Sequence, residues 1–169
     1  MNRQEFNAHC SALSLIVQRR ALDTLDSHGF DFGVVGVSNP PTSFDALRTR
    51  YNLLIISEAH RFPVLSTHCD DVIYDTPHVN MLYRAWHDLT HIELNRGFGY
   101  ADELIVARHK SLSIPEGPMR DIMLADAVGE SQFANATGGK FPLRQRDWAF
   151  DYVNCGFAVA LEIHRHNTA

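Results

Sequence analysis

Residues 84–95 read RAWHDLTHIELN and carry two histidines four apart, His87 and His91, with Asp88 directly after the first. On a helix, positions i and i+4 lie one above the other on one face, so two imidazoles can grip a single metal ion. Two imidazoles alone bind loosely, and a carboxylate or third His must then come from elsewhere in the chain. On a wheel of about 100° per residue, Asn80, Arg84, His87, Asp88, His91 and Asn95 fall in one arc roughly 100° wide. Outside it stand Val79, Met81, Leu82, Tyr83, Ala85, Trp86, Leu89, Ile92 and Leu94, interrupted only by His78, Thr90 and Glu93. A solvent-facing arc normally collects Lys, Glu and Gln, which form helices well and hydrate cheaply. This arc holds Asn, His and Asp and no lysine. The pattern predicts a helix buried over most of its surface, with its polar stripe turned toward an internal cavity. The plainer alternative is an amphipathic helix whose wet face is rich in histidine.

The remaining ligands are sought on other helices. In the stretch from Pro118 to Thr137, Met119, Ile122, Met123 and Phe133 make an apolar face, with Asp126 and Glu130 in its middle, one turn apart. Buried carboxylates are costly unless paired or bound to a cation, so metal-bound histidines, or a salt bridge to Arg84 or Arg120, would suit them. Glu103, in GYADELIVARHK, is the next candidate, although an acid near a helix start can serve only the helix dipole. His109 and the HCDD stretch (His68, Cys69, Asp70, Asp71) are less constrained candidates. A mixed His and carboxylate set suits Zn, Mn or Fe, and the lack of thiolates argues against a purely structural zinc. Arg84, one turn before Asp88, is placed to hold an anionic group such as phosphate, with Asn80 and Asn95 as further substrate contacts.

The elements that must position these residues follow from periodicity and punctuation. Apolar residues at helical spacing run from about Arg3 to His28, and Gly29 is a natural stop. FDFGVVGV, LLIIS, FPVLST and DVIYD then read as short strands around a short helix near Phe44–Tyr51, which predicts a small antiparallel β-element within about residues 30–75. Thr76 and Pro77 suit the cap and first turn of the central helix, which runs to about Asn95. Further helices are expected over about Tyr100–Leu112, Pro118 to Gly138, and Leu143–His164. The expectation is a mainly α (α+β) fold: a single-domain bundle of about five long helices over residues 1–169, with the β-element inserted before the central one.

Bulk composition narrows the function. The 169 residues are 45% hydrophobic and 21% charged, an ordinary globular balance. The formal net charge of −5 supplies no basic field for DNA or RNA. Cys10, Cys69 and Cys155 are odd in number and far apart, so no disulfide framework is expected. With no apolar signal core and no run of membrane-spanning length, a reduced, soluble, cytoplasmic protein is expected. Association of identical chains is left open. GxGxxG and Walker-type loops are absent, which argues against bound dinucleotides.

WHDLTH is similar to the core motif of the HD-domain phosphohydrolases, in which adjacent His and Asp bind metal in an all-α fold. The resemblance implies His87 and Asp88 as a metal-binding doublet, with a further His upstream and an Asp downstream on other helices. Asp126 is placed for the second; His60 and His68 fall in the β-like stretch, and His78 shares the doublet's own helix. A longer run, from NMLYRAWHDLTH through ADEL, ADAVGESQF and GGKFPLRQRDWAF, resembles a group of uncharacterised phage and prophage proteins. They share an N..FR.wHD..H stretch, a Glu, an acidic-x-x-G-Q stretch and G.FP..Q..F; Glu130 stands here where that group carries Gln. This second resemblance implies no activity, but it covers Asn80, Arg84, His87, Asp88, His91, Glu103 and Asp126.

Three functions compete. The first is a metal-dependent hydrolase acting on a nucleotide or other phosphate ester. In it His87, His91, Asp126 and Glu103 hold a divalent ion, Asp88 or Glu130 acts as general base or orienter, and Arg84 grips the anion. The second is a non-haem iron oxygenase with two histidines and one carboxylate. The third is a non-enzymatic phage-type protein that binds a host factor.

Overall fold

The computed structural model describes residues 1–69 and 72–168; Asp70 and Asp71 of the HCDD stretch lie outside them. Helix α1 (Arg3–Ser27) opens on a capping box, in which the Asn2 side chain accepts from the Glu5 N–H and the Glu5 carboxylate from the Asn2 N–H. Its face of Phe6, Leu13, Val17 and Leu25 is fully buried. Strand β1 (Val34–Val37), helix α2 (Phe44–Ile56) and strand β2 (Phe62–Leu65) follow.

The two strands pair in parallel, with Val34 opposite Phe62 and Val37 opposite Leu65, which corrects the antiparallel expectation. The cause is the helix between them. A crossover through α2 returns the chain to the end of β1 where it started, whereas antiparallel neighbours need only a tight turn. LLIIS, expected as a strand, is the last turn and cap of α2, and the described part of DVIYD is irregular chain in which Val72, Ile73 and Tyr74 are buried and Asp75 is exposed.

Helix α3 (Pro77–Leu94) is capped by Thr76, whose hydroxyl accepts from the Val79 N–H, and ends on Asn95 in the left-handed conformation (φ 50°). It is the central element, packing against α1, both strands, α2 and α4 (Tyr100–Ser111). Leu82 and Leu89, both fully buried, each contribute roughly 1.5–3 kcal/mol of burial to holding it there. Helix α5 (Pro118–Thr137) lies against α4, α1 and α6 (Gln145–Cys155). The expected single helix to His164 is two, because Gly156 (φ 79°) breaks it between α6 and α7 (Phe157–His164). Among the described residues, no helix is long and apolar enough to cross a membrane.

The α5–α6 contact is close because of one glycine. A Cβ at Gly129 would stand 3.0 Å from two Tyr152 ring carbons and 3.2 Å from Trp148 Nε1. Neither ring is free to retreat: Trp148 is fully buried and donates to the Ala125 carbonyl at 3.2 Å, and the Tyr152 hydroxyl bonds Gln132 at 3.0 Å. Gly129→Ala is therefore expected to destabilise by about 1–3 kcal/mol, overpacking outweighing the roughly 1 kcal/mol gain in helix propensity. Chemical denaturation measures it, and an unchanged or raised midpoint refutes the packing argument.

Candidate metal centre

The polar arc of α3 turns inward. His91 is fully buried and His87 largely so, and the first turn of α4 is folded back beside them. The turn between the helices is set by Asn95 at the cap and by Asp102, whose carboxylate accepts from the Gly97 N–H at 3.0 Å. This brings Glu103 to both imidazoles. Its Oε2 lies 3.3 Å from His87 Nε2, its Oε1 3.5 Å from His91 Nε2, and the two Nε2 atoms are 2.9 Å apart. Ligand atoms about 2.1 Å from one ion lie roughly 3.0–3.4 Å from each other at octahedral to tetrahedral angles. The separations found bracket that range closely, and His87, His91 and Glu103 could hold a metal ion.

The ring tautomer of His91 agrees, whereas His87 Nδ1 is buried without a hydrogen-bond partner. His91 Nδ1 lies 3.1 Å from the Arg96 carbonyl oxygen, which can only accept, so Nδ1 carries a hydrogen and Nε2 is the ring nitrogen left to face Glu103. Burial pushes His87 down to about 4, leaving it neutral and able to ligate near neutral pH. Burial acts to raise Glu103, but its hydrogen bonds with His87 and His91 prevail and hold it well below the ordinary carboxylate range. Burial lifts the neighbouring Asp88 to about 7, against the fields of His91 and Lys110.

Asp126 and Glu130 are elsewhere. They stand outside the trio whose ligand atoms lie within 4.8 Å of one another. They line a cavity of about 600 Å³, together with His87, Glu103, Tyr83 and Phe98. Asp126 is 6% exposed and receives one long bond, from the Tyr74 hydroxyl at 3.4 Å; Glu130 Oε1 is buried without a hydrogen-bond partner. Burial raises Asp126 to about 6, and burial with the Asp126 charge raises Glu130 well above its ordinary value.

Arg84 also lines the cavity, but its guanidinium is committed to the backbone. It donates to the carbonyls of Leu65 and Thr67 at 2.7 Å and of His68 at 2.8 Å, pinning the chain after β2 onto α3. Asn80 is buried with Nδ2 unpartnered, and Asn95 is an exposed helix cap; neither lines the cavity. His78 and His109 are exposed, and His60 pairs with Asp31 at the surface.

Sequence reasoning missed Lys110. It is 1% exposed, makes no hydrogen bond through Nζ, and stands 3.5 Å from the centre of the Tyr83 ring and 4.7 Å from that of Trp86. Burial pulls it down to about 7, opposed by the charges of Asp126, Asp88 and Glu103. The available signal was a lysine on the apolar side of α4, one turn past Val106 and Ala107, in a chain with almost no others.

No family profile, curated protein or solved structure matches this chain. The similarities to phage proteins and to HD-domain phosphohydrolases therefore rest on the quoted motifs alone.

Proposed function

We propose that the protein is a metal-dependent hydrolase whose divalent ion, zinc or manganese, is held by His87, His91 and Glu103. The observation that carries this is the pair of imidazole Nε2 atoms 2.9 Å apart, straddled by one carboxylate. Two ring nitrogens this close need a proton or a cation between them. An ion there would supply Lewis acidity and bring the deprotonation of water close to neutral pH. Three protein ligands would leave the ion's coordination to be completed by water or substrate. Asp88, the acid directly after the first imidazole of an i, i+4 pair, holds the position that carries the general base in zinc helices of the H-E-x-x-H kind. The phosphate-ester substrate suggested by the sequence drew on Arg84 and on the HD-domain resemblance. That guanidinium is bound to three carbonyls, so among the described residues the cavity has no uncommitted cationic side chain to grip a phosphate.

The test is turnover of a panel of esters, amides and phosphodiesters by protein loaded with zinc, manganese or cobalt. Activity is expected to need the metal. Asp88→Asn is expected to lower kcat about 10²–10⁴-fold with metal content and KM little changed. Tight metal binding without turnover of any substrate would sink the hydrolase reading. The same two-histidine, one-carboxylate set also favours a second reading, an iron(II) oxygenase, which is distinguished by co-substrate-dependent oxygen uptake in iron-loaded protein.

A further inference from the structure

We propose that the cavity beside the metal centre receives a substrate through an organic ammonium group, seated against Asp126 and Glu130 and enclosed by aromatic rings. This deepens the hydrolase reading and rests on it, since the cavity is taken as the place where substrate sits. Four observations lead to it. The cavity wall carries three carboxylates, Glu103, Asp126 and Glu130, and among the described residues a single cationic side chain, Arg84, which is held by three carbonyls. Lys110 does not neutralise the acids by contact, because its ammonium makes no hydrogen bond and lies over the Tyr83 ring.

The acids are also poorly satisfied. Asp126 is more than nine-tenths buried with one long phenol contact, and Glu130 Oε1 is sealed from solvent with nothing bound to it. A buried carboxylate without a donor is costly, and a cationic ligand would supply the missing donor or charge. Finally, Tyr83, Phe98, Tyr100 and Phe141 line the same space, the last two at its exposed rim. Aromatic faces attract ammonium groups within about 6 Å, and phosphate or carboxylate ligands gain nothing from them. A second metal ion fits less well. Among the described residues the one cluster of three or more His, Cys, Asp or Glu ligands is His87, His91 and Glu103, so Asp126 and Glu130 would face an ion with two side-chain ligands only.

The experiment uses benzyltrimethylammonium, which cannot coordinate a metal, beside benzyl alcohol and phenyl phosphate. Calorimetric titrations run on wild type, Asp126→Asn and Glu130→Gln, with zinc stoichiometry measured for each. Benzyltrimethylammonium is expected to bind on the order of tenfold more tightly than benzyl alcohol, and each variant to lose about fivefold or more of that affinity. One zinc per chain, retained in both variants, would show that they are folded. Tighter binding of phenyl phosphate, ammonium affinity unchanged in both variants, or a second zinc lost with the acids would each overturn the proposal. If wild type takes up no zinc while the ammonium results hold, the metal reading falls and the cation pocket stands.

Discussion

Replacing His91 by alanine is expected to abolish stoichiometric metal binding, weakening affinity by well over a hundredfold. The scale follows from a comparison. Groups that merely orient a ligand are worth about 10–100-fold in affinity, and His91 is itself a proposed ligand, oriented by the Arg96 carbonyl. Two further effects should accompany the loss. His91 is fully buried, packed edge-on to Phe98 with ring centroids 4.9 Å apart, so its truncation leaves a void costing about 2–3 kcal/mol. Wild type at a zinc concentration 100 times Kd gains roughly 2.7 kcal/mol of stability, and the variant gains none. Glu103→Gln separates these effects, since the amide keeps the shape and removes the charge. It should lose the zinc-dependent rise in Tm without the void. Elemental analysis and melting curves with and without chelator decide the matter, and equal metal content in all three proteins would refute the site.

The second large effect concerns Lys110, and its sign is stabilising. Lys110→Met removes a buried ammonium that makes no hydrogen bond. Because the folded-state value is lowered to about 7 from the ordinary 10.5, the unfolded chain binds more protons than the folded one between those values. Wild-type stability therefore rises with pH through that window. At pH 7 the cost is on the order of 4 kcal/mol, against which the cation–π contacts with Tyr83 and Trp86 return about 2 kcal/mol. The methionine variant should be about 2 kcal/mol more stable at pH 7, near 4–8 °C in Tm for a chain of this length, with the advantage shrinking toward pH 10. The raised Asp126 acts in a separate window, from about 4 to 6, where its folded-state preference for the proton is lost as pH rises. A Tm lowered by the substitution, or an advantage independent of pH, would show that the ammonium is held by its acidic neighbours rather than merely tolerated.

How much could be read beforehand varies with the physics involved. The span of α3, its Thr76 cap and the inward turn of its polar arc follow from 3.6-residue periodicity and side-chain chemistry, which are local properties. The partner of the histidines was harder. The wheels favoured Asp126, the acid set most conspicuously in an apolar face, over Glu103. A wheel shows which residues share a face of one helix but not how far a neighbouring helix is displaced. Glu103 reaches His87 because the tight turn through Asn95 and Gly97 folds α4 back at once, whereas Asp126 arrives on α5, across the cavity. Strand polarity was lost for a related reason. FGVVGV and FPVLS look alike in either direction, and only the helix between them dictates parallel pairing. Arg84 and the β2–α3 connection could not be anticipated, since carbonyls leave no mark in the sequence.

The three proposed ligands also have a kinetic meaning. His87, His91 and Glu103 belong to one helical hairpin, closed by a turn of a few residues, so little loop-closure entropy separates them in the unfolded chain. An ion could then fasten α3 to α4 before α1, α5 or the distant strands have docked, acting on the folding nucleus. Zinc would hasten refolding more than it retards unfolding, and partial capture by the denatured ensemble would make the protein's equilibrium gain smaller than its affinity implies.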